Sequence, residues 1–182
     1  MSIEQRSELQ TRLLELGESP KDNGTLEMIV CRPTLGERRI LNEATLDIED
    51  GLVGDNWKLR ETSKIKHGNA YSKMQIAIMN SRVIQAIAQD KSRWSLAGDQ
   101  LFVDLDLSSE NLPPDQQIVI GTVILEVTEV PHNGCVKFTE RYGSNATKFV
   151  NSVEGRLFRY RGINARIVRS GTIKIDDRVT KI

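Results

Sequence analysis

The segment Pro131-His132-Asn133-Gly134-Cys135-Val136-Lys137 holds the residues of this chain that are best suited to chemistry. The thiol of Cys135 follows a glycine and stands two positions before the cation Lys137. A thiol beside a cation, or near free N–H groups at the start of a helix, ionises more easily than a free cysteine of pKa ~8.5. The sequence therefore predicts Cys135 as a reactive atom. The alternative is a small buried apolar residue.

His132, three residues before Cys135, is a candidate to orient a ligand or act as a base. A turn-capping or exposed histidine is the alternative. Together, His132 and Cys135 also suggest the nucleophilic pair of a hydrolase. Their spacing does not guarantee hydrogen-bond reach, and no third, orienting group is visible. The other histidine, His67, is expected to have a structural or surface role.

A second candidate is the segment from Arg156 to Arg169, which contains five arginines and no acidic residue. Guanidinium groups match phosphate geometry with paired hydrogen bonds, so a small phosphorylated ligand is predicted. In an extended segment Arg159 and Arg161 would lie on one face and act together. The alternative is a solvated strand face whose arginines pair with carboxylates elsewhere.

Composition limits the classes of function. The 25 basic residues balance the 25 acidic ones, which argues against a general nucleic-acid binder. The two cysteines, Cys31 and Cys135, form no zinc or disulfide motif, which favours a reducing compartment. The charged N-terminus and the lack of an apolar run of ~18 residues predict a cytoplasmic chain with no membrane span. No P-loop, Gly-x-Gly-x-x-Gly, Gly-x-Ser-x-Gly or His-Glu-x-x-His motif occurs.

Hydrophobic patterning predicts an N-terminal helix and linker over residues 1–24 and one β-rich domain over 25–182. Helical spacing marks 81–94 and 144–152, and Val136 is expected to begin a helix. The stretch between Arg32 and Lys73 is loop-rich. Strands are predicted near 25–32, 73–79, 101–105, 117–120, 122–130, 163–169, 172–175 and 179–182. Their spacing is typical of an antiparallel barrel or sandwich, and Pro131 ends the strand before Cys135.

Several motifs, taken together and in order, resemble the MOSC family, named after the C-terminal part of molybdenum cofactor sulfurases. The resemblance spans about residues 28–180. The motifs are Ala97-Gly98-Asp99-Gln100-Leu101-Phe102-Val103-Asp104-Leu105-Asp106-Leu107-Ser108, Glu110-Asn111-Leu112-Pro113, Ile120-Gly121, Leu125-Glu126-Val127-Thr128, Pro131-His132-x-Gly-Cys135-x-Lys137-Phe138 and Arg161-Gly162-Ile163-Asn164-Ala165-Arg166.

This resemblance implies a mainly β (α+β) fold similar to the pyruvate kinase β-barrel, closed or partly open, with a few peripheral helices. It implies that Cys135 carries sulfur or ligates molybdenum. Family members that reduce N-hydroxylated compounds hold molybdenum on a pyranopterin (molybdopterin), whose phosphate needs cationic partners. The residues that the resemblance places there are Lys137, Arg156, Arg159, Arg161 and Asn111. Thiolate ligation beside a guanidinium-bound phosphate agrees with both features described above.

The chain also departs from the family. The sequence shows no pyridoxal-phosphate desulfurase domain before the matching region, so pyridoxal phosphate is a family association and sulfur is expected to come from an external donor protein. A clustered-cysteine ferredoxin-like extension is missing too, so redox activity would need an external electron donor. Where the family commonly has Gly-Asp after its last hairpin, this chain has Asp176-Asp177, so that turn is expected to differ.

Two functional hypotheses follow. The first is a stand-alone molybdenum cofactor-binding protein that uses Cys135 as sulfur carrier or metal ligand, in sulfur transfer or in reduction of N-hydroxylated compounds. The second is a non-catalytic binding module in which the arginine segment binds an anionic small molecule or protein partner. The sequence indicates no oligomeric state.

Overall fold

The computed structural model describes residues 3–59 and 72–182, so His67 lies outside the described residues. Its α-helices are α1 (Ile3–Glu15), α2 (Ser81–Ala88), α3 (Val136–Val150) and α4 (Val153–Leu157), and 3₁₀ helices cover Ser72–Met74 and Lys91–Ala97. The strands are β1 (Gly24–Cys31), β2 (Arg39–Leu41), β3 (Glu43–Asp47), β4 (Gly51–Leu52), β5 (Ile76–Asn80), β6 (Leu101–Asp104), β7 (Gln117–Ile120), β8 (Val123–Val127), β9 (Ile163–Arg169), β10 (Gly171–Lys174) and β11 (Arg178–Lys181). In the described part of the chain, no helix is long and apolar enough to cross a membrane.

Seven strands form a closed barrel in the order β11-β7-β8-β9-β5-β6-β1, and β1 pairs with β11 to close it. The predicted barrel is therefore confirmed. Its pairs are antiparallel except β5 with β6, which are parallel. This pair departs from the antiparallel prediction because α2 and the following 3₁₀ helix carry the chain back across the barrel, as a parallel pair requires. A separate small sheet contains β10, β3 and β4.

The barrel strands divide their side chains between two apolar cores. Alternate residues of a strand point to opposite faces, so Ile78 and Leu101 fill the barrel interior while their neighbours Met79 and Phe102 face outward. The outward set packs beneath the helices, where it meets aromatic residues such as Phe138 of α3. This outer core fixes α3, and with it Cys135, against the barrel wall.

Several element boundaries differ from the sequence prediction. The segment 156–162 is not extended, because Arg156 lies in the last turn of α4 and Arg159 adopts a left-handed φ of 50° before β9 begins. Helix α2 ends at Ala88 rather than near 94, since Gln89 is left-handed and Asp90 caps a separate 3₁₀ helix. The predicted helix at 144–152 is the second half of α3, which bends at Gly143.

Two further boundaries concern loops. The stretch predicted as loop-rich contains β2, β3 and β4. The turn at Asp176-Asp177 keeps the left-handed geometry that glycine favours, since Asp176 has a φ of 70°. Asp177 stabilises this turn, because its Oδ2 accepts a hydrogen bond of 2.8 Å from the backbone N–H of Lys174.

Candidate functional site

Cys135 lies at the N-terminus of α3 with an exposed side chain. The loop before it is held by Asn151, whose side-chain oxygen accepts from the N–H of Gly134 at 2.8 Å and whose Nδ2 donates to the Gly134 carbonyl at 3.0 Å. The backbone oxygen of Cys135 accepts the first helical bond, from the N–H of Thr139. The thiol is therefore presented to solvent from a fixed backbone.

The thiol opens into a cleft of about 500 Å³. His132 and Lys137 also line this cleft, so the local motif stays together in space. Among the lining residues that the structure describes, none is acidic and five are basic: Arg32, Arg38, Lys137, Arg141 and Arg161. A cleft lined by one sign of charge concentrates ligands of the opposite sign. This site is therefore suited to an anionic ligand.

Two of these arginines are neutralised beneath the cleft. Arg161 is 5% exposed and its Nη1 donates to both carboxylate oxygens of Asp99, at 2.9 and 2.7 Å. Arg32 pairs with buried Asp55 through two bonds of 2.8 and 2.9 Å. Buried charges require such partners because leaving water is costly. These pairs form the floor of the cleft, and Lys137 and Arg141 are further cations of its lining.

Arg38 and Arg141 converge over the turn that ends the second 3₁₀ helix. Arg38 Nε donates to the carbonyl of Ser95 at 3.2 Å, and Arg141 Nη1 donates to that of Leu96 at 2.6 Å. A Cβ added at Gly98 would lie 3.5 Å from Arg141 Nη1 and 3.8 Å from Arg38 Nη2. The turn thus gathers two guanidinium groups from distant parts of the chain at one wall of the cleft.

His132 is held above the Arg161–Asp99 pair. Its side chain is 17% exposed, and its Nδ1 lies 3.4 Å from Asp99 Oδ1. Burial is the main cause that lowers the pKa of His132 to about 3, with Arg161 adding to the effect and Asp99 opposing it. The imidazole is therefore neutral near pH 7. Within the described residues no hydrogen bond joins His132 to Cys135, so the contact that a Cys-His hydrolase needs is not formed.

The structure does not bring every predicted residue to this cleft. Arg156 is exposed at the end of α4. Arg159 Nη1 donates to the carbonyl of Leu112 at 2.6 Å, and burial lowers the pKa of Arg159. The expected common face of Arg159 and Arg161 is wrong, because the two residues lie in a turn rather than in a strand.

Asn111 also lies elsewhere, in a second cleft of about 480 Å³ beside α1 and α2. Its Nδ2 donates to the carbonyls of Lys21 and Asp106, and its Oδ1 accepts from Lys181 Nζ. These bonds tie the N-terminal linker to the last strand. The expectation that Asn111 lines the pocket of Cys135 is therefore not met.

Sequence reasoning missed Arg32, Arg38, Arg141 and Asp99 as parts of the site. Arg38 lies in the stretch predicted as loop-rich, and Arg141 lies one helical turn beyond Lys137, where the spacing of four residues places both on one face of α3. That spacing was the available signal. Asp99 occurs in a family motif, but nothing local indicates that it pairs with Arg161, 62 residues away.

The match to a family model identifies the class of protein. The model of the MOSC domain matches residues 66–180, so the chain belongs to the MOSC domain family. None of the curated proteins compared with the chain gives a match.

Solved structures share the fold. The YUAD protein from Bacillus subtilis is 16% identical with a TM-score of 0.62, over 86% of this chain and 94% of that one. YiiM from Escherichia coli is 14% identical with a TM-score of 0.55, over 87% of this chain and 69% of that one. At these identities, the likeness concerns the barrel and its helices alone.

Proposed function

We propose that this MOSC protein binds the molybdenum cofactor in the cleft of Cys135 and uses that thiol as sulfur carrier or molybdenum ligand. One observation carries the proposal: an exposed thiol opens into a cleft that is lined by cations and by no described carboxylate. Thiolate is a soft ligand suited to such a metal, and guanidinium groups suit the phosphate of the pterin.

The donor set of the cleft fits this cofactor. Among residues 3–59 and 72–182, no three His, Cys, Asp or Glu side chains lie together as a metal site. Cys135 would supply a thiolate ligand to a metal that is already carried by a pterin. Lys137, Arg38 and Arg141 would face the phosphate. When bound, the cofactor would supply the redox or sulfur-accepting chemistry, in reduction of N-hydroxylated compounds or in sulfur transfer with an external donor protein.

A second candidate function is a non-catalytic module that binds an anionic small molecule or an acidic protein partner. It is favoured by the same excess of cations, with Cys135 playing no part. The two candidates differ in what they require. The first needs the thiol, whereas the second needs only the arginines and Lys137.

The test is to express the chain in a host that makes the cofactor and to measure molybdenum and pterin in the purified protein. Cys135→Ala should lose molybdenum if the thiol ligates the metal. Cys31→Ala is the matched control, since Cys31 is a buried cysteine in the core. Retention of the pterin with loss of metal would support the ligand role. Equal molybdenum in wild type and Cys135→Ala would exclude it.

Under the second candidate function, ligand binding depends on the arginines and not on the thiol of Cys135. Replacing Arg38 and Arg141 together by glutamine should abolish binding of the anionic ligand, while Cys135→Ala leaves it intact. If neither change affects the molybdenum or pterin content of the protein, the cleft is not the cofactor site.

A further inference from the structure

The two ring nitrogens of His132 have different surroundings. Nδ1 is buried without a hydrogen-bond partner, and the nearest carboxylate oxygen is Asp99 Oδ1 at 3.4 Å. The ring nevertheless lines the cleft and keeps 17% of its side-chain surface exposed. Since Nδ1 is the buried nitrogen, the ring presents its Nε2 edge to the cleft.

The charge around Nδ1 decides which nitrogen of a neutral ring holds the proton. A lone pair on Nδ1 would face the negative oxygen of Asp99 in a buried setting, which is repulsive, whereas an N–H there is attracted. Both oxygens of Asp99 accept hydrogen bonds from Arg161 Nη1, but a carboxylate can accept further hydrogen bonds. The other charged groups that act on the ring are Arg161 and Arg32, and both oppose a second proton.

We propose that Asp99 is a positioning residue that holds His132 protonated at Nδ1, so that the lone pair of Nε2 faces the cleft as a hydrogen-bond acceptor. The five basic side chains of the cleft are donors only. His132 therefore adds an acceptor among them. A ligand that suits both the basic side chains and the Nε2 acceptor therefore carries an anionic group and, beside it, an O–H or N–H donor.

This proposal extends the proposed function, since the role of Nε2 rests on the cleft being a ligand site. The tautomer itself does not depend on any cofactor and is measured on the cofactor-free protein. Failure of cofactor binding and failure of the tautomer assignment are thus separate results.

The experiment is a long-range proton–nitrogen NMR correlation of the ¹⁵N-labelled protein, which distinguishes the tautomers of a histidine. The chain has two histidines, so His67→Asn assigns the signals. We expect the neutral ring of His132 to be protonated at Nδ1 alone at pH 8. A neutral ring protonated at Nε2 would overturn the proposal. This readout leaves His132, Asp99 and Cys135 unchanged.

Asp99→Asn tests the positioning role. With the amide oxygen taken by Arg161, the amide NH₂ would donate to Nδ1 and move the ring proton to Nε2, as expected when a histidine's orienting carboxylate becomes an amide. Asp104→Asn is the control, because Asp104 pairs with Arg82 far from the cleft. An unchanged tautomer in folded Asp99→Asn would refute the role of Asp99. If that variant does not fold, the wild-type spectrum alone decides which nitrogen of His132 carries the proton.

Two dianions of similar size test the acceptor. Hydrogen phosphate has an O–H to donate to Nε2, whereas sulfate has none. We expect hydrogen phosphate to shift the Nε2 signal of His132 at least twice as far as sulfate at equal concentration and ionic strength. Equal shifts, or no shift with either ion, would show that Nε2 is not a ligand acceptor.

Discussion

The reactivity of Cys135 depends on charges that its sequence neighbours only partly supply. Arg161 and Arg32 are neutralised by buried carboxylates, so Lys137 and Arg141 are the lining cations that add most to the field at the thiol. Because the thiol is exposed, this field acts on any reagent that approaches it.

The first prediction concerns alkylation of Cys135. Iodoacetate, an anion, should react faster relative to neutral iodoacetamide than it does with a free thiol, and Arg38→Gln and Arg141→Gln should each lower that ratio. A unit charge ~8 Å away contributes about 0.5 kcal/mol in water, which is roughly two-fold in rate for each arginine. Rates are measured by mass spectrometry of the labelled peptide.

Arg169→Gln is the matched control, since Arg169 is exposed on β9 and does not line the cleft. Raising the salt concentration should shrink the difference between the two reagents, because screening weakens exposed charges. If Arg169→Gln lowers the ratio as much as Arg38→Gln, the effect is the general charge of the protein and not a local field.

The second prediction concerns pH and His132. The folded state holds the pKa of His132 at about 3, below its ordinary 6.5, so between these values the unfolded chain binds a proton that the folded chain does not. Protonation of the unfolded chain therefore lowers the free energy of unfolding as the pH falls from 6.5 towards 3, by at most about 1.4 kcal/mol per pH unit.

His132→Gln removes that titration and keeps a polar group. Urea unfolding of both proteins at pH 4 to 7 should give a flatter dependence of stability on pH for the variant. Carboxylates titrate in both proteins, so the difference between the two curves isolates His132. Parallel curves would show that His132 titrates alike in the folded and unfolded states.

At the scale of elements, the connection between α4 and β9 passes very close to the backbone of β5. Gly162 has a φ of 104°, and a Cβ there would lie 2.1 Å from the carbonyl oxygen of Ile78 on β5. Strand β9 can pair with β5 at this register only because residue 162 has no side chain. This approach also sets where Arg161, the preceding residue, enters the cleft.

The third prediction compares two glycines. Gly162→Ala should destabilise the fold by about 3 kcal/mol or more, because it adds a backbone clash to the cost of ~1–2 kcal/mol for a left-handed alanine. Gly143→Ala should cost only backbone strain, roughly 1–3 kcal/mol, because the φ of 85° and ψ of 164° at Gly143 disfavour alanine while nothing lies within 4 Å of an added Cβ. Denaturant unfolding gives both values, and equal losses would contradict the close approach of β9 to β5.

The same connection between α4 and β9 shows which backbone conformations sequence periodicity can predict and which it cannot. The strand 163–169 was predicted with its observed bounds, because β-branched and apolar residues alternate there. For the residues just before it, an extended conformation is the condition under which Arg159 and Arg161 would share a face. Residues 156–162 instead form a helix end and a left-handed turn, whose geometry depends on contact with β5 rather than on local pattern.

At the scale of the whole molecule, the barrel brings together what the sequence separates. Cys135, His132 and Lys137 were predictable as a group because they are neighbours in the chain. Arg38 and Arg161 reach the same cleft only through the order of strands around the closed barrel, and a single sequence contains no local trace of that order. Of the cations expected beside Cys135, Lys137 and Arg161 line the cleft, whereas Arg156 and Arg159 do not.

The fourth prediction concerns barrel closure by β11, the last strand. Terminal strands commonly fray, but β11 pairs with both β1 and β7, and Val179 on it is fully buried. Its amides should therefore exchange hydrogen with solvent only through opening of the whole barrel, as slowly as those of β8. Strand β4 is the internal comparison, since it lies at the edge of the small sheet and should exchange faster. Hydrogen-exchange mass spectrometry measures both, and exchange of β11 as fast as that of β4 would show that the barrel is not closed in solution.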